Sequence, residues 1–405
     1  MIGWLRPVST MSDNSCGVSV TLVTRPDAAL IRLWDQLVSH TPGSDVAQLS
    51  AWSAVRWQAG FHPRYLLARR TGQLVGGALI LQRRLPIIGI VGYVPHGPVI
   101  ATRTGRAAVA HAVSTALADL GRRQLGGLFI QPPTNADDIS DNLLRLGFRK
   151  SVAGIAPAAS IRIDLTQDVE DIRSGLSSSN RRRTKTWADR GVTVRLGSER
   201  DLGLVADLLA CTAAHQHFDP LSLDYLHTLY RELDRHGRVQ IFIAELDGVP
   251  AVAHLFTSCG GTLTSRLAGM QRDDAVKKSG AAAAVIWHAI LWAKANSYHT
   301  FDFGGIPADA VDMIKSGDSG LMSQLTGPTV FKASFGGQPF RYPPAVELIS
   351  SVLLRTCCDL SRRSTVGGEA MAMAKRLLRG GKSATARNAV AHGPLNAATT
   401  STSSR

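Results

Sequence analysis

RYLLARRTGQLVGGALILQ (64–82) and QIFIAELDGVPAVAHLFTS (240–258) are written to one plan. Each is an apolar run of strand-forming residues, a Thr-Gly or Asp-Gly pair, and a second apolar run carrying small residues. A glycine in such a pair accepts the positive φ that a two-residue hairpin turn needs, so each stretch predicts a β-hairpin. The turn glycines, Gly72 and Gly248, stand 176 residues apart. The segment after each hairpin repeats as well. GRAAVAHAVSTALADLGRRQLGGLFIQPP (105–133) reads as an Ala-rich helix and then a strand, LFI, that stops at Pro-Pro. GAAAAVIWHAILWAKANSYHTFDFGGIP (280–307) reads as an Ala-rich helix and then a strand, FDF, that stops at Gly-Gly-Ile-Pro. Their opening glycines, Gly105 and Gly280, are 175 residues apart. Two unlike signals recurring at nearly one offset predict two tandem copies of a hairpin–helix–strand unit.

That plan is the core of the acyltransferase fold that uses acetyl-CoA, the GNAT fold. The expected class is therefore α/β (α+β), with two tandem GNAT-like domains at 20–165 and 166–339. Residues 1–19 read as a flexible N-terminus. Residues 340–362 are expected to pack back onto the first domain through an apolar helix, AVELISSVLLRTCC (345–358). From about Ser361 the chain is rich in Ala, Gly, Ser, Thr and Arg, so 363–405 reads as a basic, largely disordered tail interrupted by a short helix, EAMAMAKRLLRG (369–380). A GNAT domain cradles the CoA pyrophosphate on a Gly-rich turn that opens the central helix. KKSGAA (277–282) and TRTGRAA (102–108) match that turn only in part.

Composition narrows the partners. A length of 405 residues suits two domains. A mean hydropathy of +0.03 fits a soluble chain. The longest apolar candidate, LPIIGIVGYV (85–94), is half of the roughly 20 residues a membrane span needs. The N-terminus has no apolar core of a signal peptide. Five cysteines without metal spacing read as reduced thiols of a cytoplasmic protein. The balance of 45 Lys+Arg against 31 Asp+Glu, a formal charge of +14, points to an anionic partner: nucleic acid, a phosphate-rich substrate or an acidic membrane surface.

A second set of stretches carries a resemblance: AWSAVR (51–56), YVPHGPV (93–99), LLRLGF (143–148), NRRRTKTWADRGVTV (180–194), WHAILWAKANSYHTFDFGGI (287–306) and GPTVFKASFGG (327–337). In this order and spacing the chain resembles the Fem family of aminoacyl-tRNA-dependent peptidyltransferases, which add amino acids to peptidoglycan precursors. Members of that family have two tandem GNAT-like domains. The chain departs from the family pattern at His96, where arginine is common, and at Arg56, where lysine is frequent.

The candidate site residues come from these motifs. In TVFKASFGG, strand-like alternation would put Val330 and Lys332 on one face. Lys332 then has two readings: an aliphatic stem packed on aromatics with its head in water, or a cation beside a reacting carbonyl. The resemblance implies the second, stabilising the oxyanion of ester aminolysis. Asp302, at the end of an apolar strand, either caps a turn or orients the attacking amine and takes its proton. Gly304 and Gly305 would let backbone approach a ligand. In NRRRTKTWADRGV, Asn180 is read as a helix cap and Gly191 as its left-handed end. Arg182, Arg183 and Lys185 between them are either a solvated face or contacts to phosphates. The resemblance adds Arg56, Trp52, Tyr93 and Phe335 as substrate contacts. Trp287, Ile290 and Leu291 form a helical stripe read as core. His215, His217 and His254 lack metal spacing and are left unassigned.

The implied reaction needs no cofactor, because the ester is already activated; aminoacyl-tRNA is the co-substrate. The acceptor is an amine on a UDP- or lipid-linked muropeptide, or another amine acceptor, and peripheral contact with the inner membrane face is expected from the tail. Asp302 or the substrate itself manages the proton. Three other readings stand beside this one: the same chemistry on a small secondary metabolite, a CoA-dependent N-acyltransferase, and a non-catalytic RNA- or membrane-binding protein.

Overall fold

The computed structural model describes residues 9–11, 17–85, 88–151, 153–154, 156–216, 219–351 and 355–356. The tail at 363–405 with its expected helix, most of the N-terminal segment 1–19, and His217 lie outside the described residues.

The chain forms two sheets. The first contains β1 (Ser9–Met11), β2 (Val18–Val23), β3 (His62–Arg70), β4 (Gln73–Leu85), β5 (Gly89–Val94), β6 (Val99–Ile100), β7 (Gly127–Ile130) and β8 (Arg149–Lys150). After them come β9 (Ala159–Asp164), β10 (Val192–Gly197), β11 (Val239–Leu246), β12 (Val249–Cys259), β13 (Thr262–Met270), β14 (Thr300–Ile306), β15 (Gln338–Arg341) and β16 (Val346–Ile349). Both expected hairpins form, as β3–β4 and β11–β12. Their turn pairs, Thr71-Gly72 (φ 50° and 81°) and Asp247-Gly248 (φ 52° and 79°), carry the two successive positive φ angles of a type I′ turn. Each sheet has one parallel pair, β5 with β7 and β13 with β14. A long helix makes each crossover: Arg106–Gln124 in the first unit and Ala281–Ala295 in the second, entered from Gly105 and Gly280 in the left-handed conformation.

Strand periodicity explains the layering. On β3 and β4, Tyr65, Leu67, Leu79 and Leu81 face one way and Leu66, Ala68, Ala78 and Ile80 the other. The second set packs on the helix Arg106–Gln124 through Val109, Val113 and Leu117. On β11 and β12, Phe242, Ala244, Val252 and Phe256 pack with the helix Ala281–Ala295, where Trp287 and Ile290 are buried as expected. The remaining faces of both sheets share one core. Trp34, Leu67 and Leu79 of the first unit join Leu202, Leu208, Leu226, Leu233, Ile241 and Leu255 of the second. Four of these, Leu202, Leu208, Leu226 and Leu233, would contribute about 6–12 kcal/mol at 1.5–3 kcal/mol for each buried side chain. The surface between the units is therefore hydrophobic core.

The two units also exchange strands. The first sheet runs β1-β2-β3-β4-β5-β7-β16-β8, with β6 beside β4; the second runs β10-β11-β12-β13-β14-β9-β15. The strand next to β7 is β16, from the end of the described chain, and the strand next to β14 is β9, from before the second hairpin. Two expectations are corrected here. Ala159–Asp164, read as the end of the first domain, is a strand of the second sheet. Residues 345–358 were expected as a helix, but Val346–Ile349 form a strand paired on both sides, with β7 and β8. The open edge of β7 supplies hydrogen bonds that outweigh the local helix propensity of AVELI.

Candidate active site

The parallel pairing of β13 and β14 ends at Thr264 opposite Asp302. Asp302 also lies across from Arg162 on β9, and the register slips between Asp302 and Gly305. Gly304 sits in that irregularity with φ 71°; a Cβ there would stand 2.7 Å from the Ser265 carbonyl, so glycine is required by both conformation and space. Beside the slip Asp302 is buried, 1% exposed. Its Oδ1 accepts from Ser160 Oγ (2.5 Å) and Gly304 N (2.8 Å), and its Oδ2 from Arg162 Nε (2.7 Å).

Lys332 comes to the same place from a helix, Gly327–Ala333, not from the strand its alternation suggested. Local signals explain the difference. Thr326 is extended at the N-cap, Pro328 occupies the first turn, and Gly336 and Gly337 then turn the chain with φ 74° and 86°. The half-buried Lys332 donates from Nζ to the Gly305 carbonyl at 2.7 Å. Burial lowers its pKa and the Asp302 charge works against that shift. His254 Nε2 lies 2.6 Å from Ser265 Oγ. Burial, helped by the Lys332 charge, pushes the His254 pKa down to about 3, so this ring is neutral at physiological pH.

The polar seam continues toward the first unit. Arg162 stacks over Phe340 at 4.1 Å and reaches Tyr342 Oη at 3.5 Å. Tyr342 stands 5.0 Å from His96, ring to ring. Burial holds the Tyr342 pKa well above that of ordinary tyrosine, so its hydroxyl keeps its proton. Arg266 on β13 clamps both oxygens of Asp45 from Nη2 (2.5 and 2.6 Å), donates from Nε to Thr257 (2.8 Å), and lies over Trp52 at 5.6 Å. Burial alone would raise the Asp45 pKa; Arg266 and His96 overcome it and bring it to about 2. His96 is shifted toward neutrality by its own burial. The seam thus holds three cations, Arg162, Arg266 and Lys332, against two carboxylates, Asp45 and Asp302. That surplus suits a ligand or transition state that brings negative charge.

A cavity of about 230 Å³ opens beside Tyr342, lined among others by Tyr93, Gln131, Lys150 and Pro343. It lies where β5 and β7 part after Val94 and Ile130. Tyr342 belongs to both the cavity wall and the charged seam.

The structure therefore brings together Lys332, Asp302, Gly304, Gly305 and Trp52, and puts Tyr93 in the adjoining cavity. Arg56, nearly buried, lies over Phe61 at 4.6 Å with Arg83 at 5.7 Å on the same ring. Arg182, Arg183 and Lys185 lie on the helix Ser178–Thr186, where Arg182 and Lys185 are exposed and the Arg183 stem covers Gly280. That helix is capped by Ser177; Asn180 instead donates from Nδ2 to Ser334 Oγ (2.7 Å), tying the helix to the segment that carries Lys332. Gly191 does end this region left-handed, at φ 72°. Phe335, expected as a substrate contact, is 1% exposed and packs on Phe303 and Phe331, so it is core. Sequence reading missed Arg162, Arg266, Tyr342, Asp45 and Gln131. The signal for the two arginines was present: ASIRID sets Arg162 between two isoleucines, and TLTSRLAG sets Arg266 in an otherwise uncharged strand. Among the described residues no group of His, Cys, Asp and Glu is arranged to hold a metal ion, and no helix is long and apolar enough to cross a membrane.

Residues 176–311 match the acetyltransferase (GNAT) domain family. The crystal structure of FemX superposes with a TM-score of 0.70 at 16% identity, covering 80% of this chain and 98% of FemX. The chain is a tandem GNAT-fold protein. A domain from Agrobacterium fabrum assigned as a putative lysylphosphatidylglycerol synthetase shares the fold more distantly, with a TM-score of 0.51 at 12% identity over 82% of this chain and 95% of that one. No curated protein matches in sequence. The GNAT assignment agrees with the duplicated hairpin–helix–strand units and their two parallel strand pairs.

Proposed function

We propose that the chain is a Fem-type aminoacyltransferase, which moves an aminoacyl group from charged tRNA to an amine on the peptide stem of a peptidoglycan precursor. The observation that carries this reading is Lys332: a half-buried ammonium held at the Gly305 carbonyl, inside a seam where cations outnumber carboxylates. Aminolysis of an aminoacyl ester develops negative charge on the former carbonyl oxygen. An ammonium already dehydrated by burial needs little reorganisation to turn from Gly305 to that oxygen. The acceptor nitrogen bonds to the carbonyl carbon, the bond from that carbon to the ribose oxygen breaks, and the departing oxygen takes the proton released by the amine. Asp302 is the less suitable base because both its oxygens already accept hydrogen bonds. Its role in this scheme is to position Arg162 and, through the Gly304 amide, the backbone that seats Lys332.

The fold shared with FemX and the motif FKASFGG both support the aminoacyl reading. CoA-dependent transfer has less support: the Arg70 guanidinium crowds Gly105, and a helix, Asp274–Ser279, leads directly into Gly280. Charged tRNA and a UDP- or lipid-linked muropeptide would be the partners, at the cytoplasmic side of the membrane. The test is mass spectrometry of muropeptide precursors incubated with the protein and a mixed pool of charged tRNAs. The expected result is a gain of one aminoacyl residue that ribonuclease abolishes. A gain of an acyl group from acetyl-CoA in the absence of tRNA would overturn the proposal.

A further inference from the structure

His254 has no part in the scheme above, yet its ring is held beside the reacting centre. It lies on β12, is 7% exposed, and stacks on Phe256 at 4.3 Å with 19° between the planes. The register of β12 with β13 shifts here: Leu255 faces Leu267 and Phe256 faces Ser265, leaving Arg266 as the extra residue of a bulge. Beside that bulge Ser265 Oγ lies 2.6 Å from His254 Nε2. The Ser265 carbonyl would stand 2.7 Å from a Cβ on Gly304, and the next carbonyl, that of Gly305, holds Lys332 Nζ at 2.7 Å. The Lys332 charge reaches the His254 ring. Ring and ammonium therefore border one place. His254 Nδ1 has no hydrogen-bond partner among the described residues and is not one of their fully buried unpartnered atoms, so it is open to that space. The Ser265 hydroxyl has no other acceptor among those residues. Its hydrogen and the Nε2 lone pair satisfy each other when Ser265 donates, and a neutral ring then carries its proton on Nδ1.

Resting on the aminoacyl-transfer reading, we propose that His254 is a second oxyanion donor, whose Nδ1–H hydrogen-bonds the ester carbonyl oxygen beside Lys332 as that oxygen takes up charge. Ser265 is its positioning residue: by donating to Nε2 it selects the tautomer, and with the Phe256 stack it fixes the ring. The two donors differ in kind. The ammonium supplies charge on a flexible stem, and the imidazole supplies a directed N–H that needs no reorganisation. The neutral ring is the form that fits, since an imidazolium would repel Lys332 in a place closed to water. His254 neither gains nor loses its proton in the step; the proton of the acceptor amine still ends on the departing ribose oxygen.

The first measurement needs no tRNA. Proton–nitrogen correlation NMR of the histidine rings in the full-length protein should show His254 neutral with its proton on Nδ1. Ser265→Ala should move that proton toward Nε2, and Ser265→Thr, which keeps the hydroxyl, should not. The second is single-turnover transfer from charged tRNA. His254→Leu should slow bond formation by about 100-fold with acceptor KM nearly unchanged. His254→Asn, which offers an amide N–H near the Nδ1 position, should recover at least about tenfold of that loss. If His254→Leu does not fold, Ser265→Ala, which keeps the ring, carries the kinetic test: its rate should fall together with the tautomer change. A wild-type proton on Nε2, near-normal bond formation in His254→Leu or in Ser265→Ala, or an Asn variant as slow as the Leu variant would overturn the proposal. A wild-type protein with the Nδ1–H tautomer and no transfer from any charged tRNA would instead overturn the aminoacyl reading, and the donor role with it.

Discussion

The two places where parallel strands part are built alike and filled differently. Where β5 and β7 separate, the first unit leaves a cavity with apolar walls and one buried carboxamide. Where β13 and β14 separate, the second unit packs in Asp302, Arg162 and Lys332. The first arrangement leaves open volume; the second suits stabilisation of developing charge. On the proposed function the chemistry falls to the second copy, which Tyr342 and the Asp45–Arg266 pair join to the first.

Several substitutions would break or sharpen that division. The largest effect is expected from Phe335→Ala. Removing a fully buried ring from the second unit should cost about 3–5 kcal/mol in chemical denaturation. A loss under about 1 kcal/mol would contradict the core placement of that ring. Next is Asp45→Asn, which tests the bridge. The folded-state pKa of Asp45 is about 2 against an ordinary 3.8, so the unfolded chain binds more protons between those values. The charge-linked stability is therefore present above pH 4 and lost as the pH falls through 2. That shift corresponds to about 2 kcal/mol at neutral pH. Acid unfolding curves of the variant should lose this part of their pH dependence; an unchanged curve would remove Asp45 from the bridge.

Asn180→Ala should cost about 1 kcal/mol by releasing the helix Ser178–Thr186 from Ser334. Turnover should fall with little change in acceptor affinity, since only the segment bearing Lys332 is loosened. The smallest effect at neutral pH concerns titration. Burial lowers the Lys332 pKa, so a reaction that needs the ammonium should lose rate on the alkaline side below the ordinary lysine range. Lys332→Arg, whose charge persists, should retain part of the activity and shift that limb upward; a pH–rate profile that does not move would show that Lys332 does not titrate in the reaction.

Much of the fold was legible because it rests on local signals. The I′ turns at Thr71-Gly72 and Asp247-Gly248, and the left-handed glycines 105 and 280, are fixed by a few adjacent residues. The strand exchange was not legible. ASIRID and VELI have ordinary strand or helix periodicity, and nothing in either names its partner; only the open edges of β14 and β7 do. FKASFGG alternates like a strand over four residues, but Thr326, Pro328 and Gly336 outside that window set its helical form. Lys332 and Asp302 could be singled out because their motifs are dense in glycine and aromatic residues. Arg162, Tyr342 and Gln131 join them only through pairings between residues far apart in sequence.

The proposed role of Lys332 is tested most directly by measuring turnover and acceptor affinity together in Lys332→Ala, with a charged-tRNA donor under single-turnover conditions. Loss of one oxyanion donor should slow the bond-forming step of Lys332→Ala by about 100- to 1000-fold, with acceptor affinity intact. Near-normal turnover in Lys332→Ala would contradict the account and leave that lysine a surface side chain resting on Gly305.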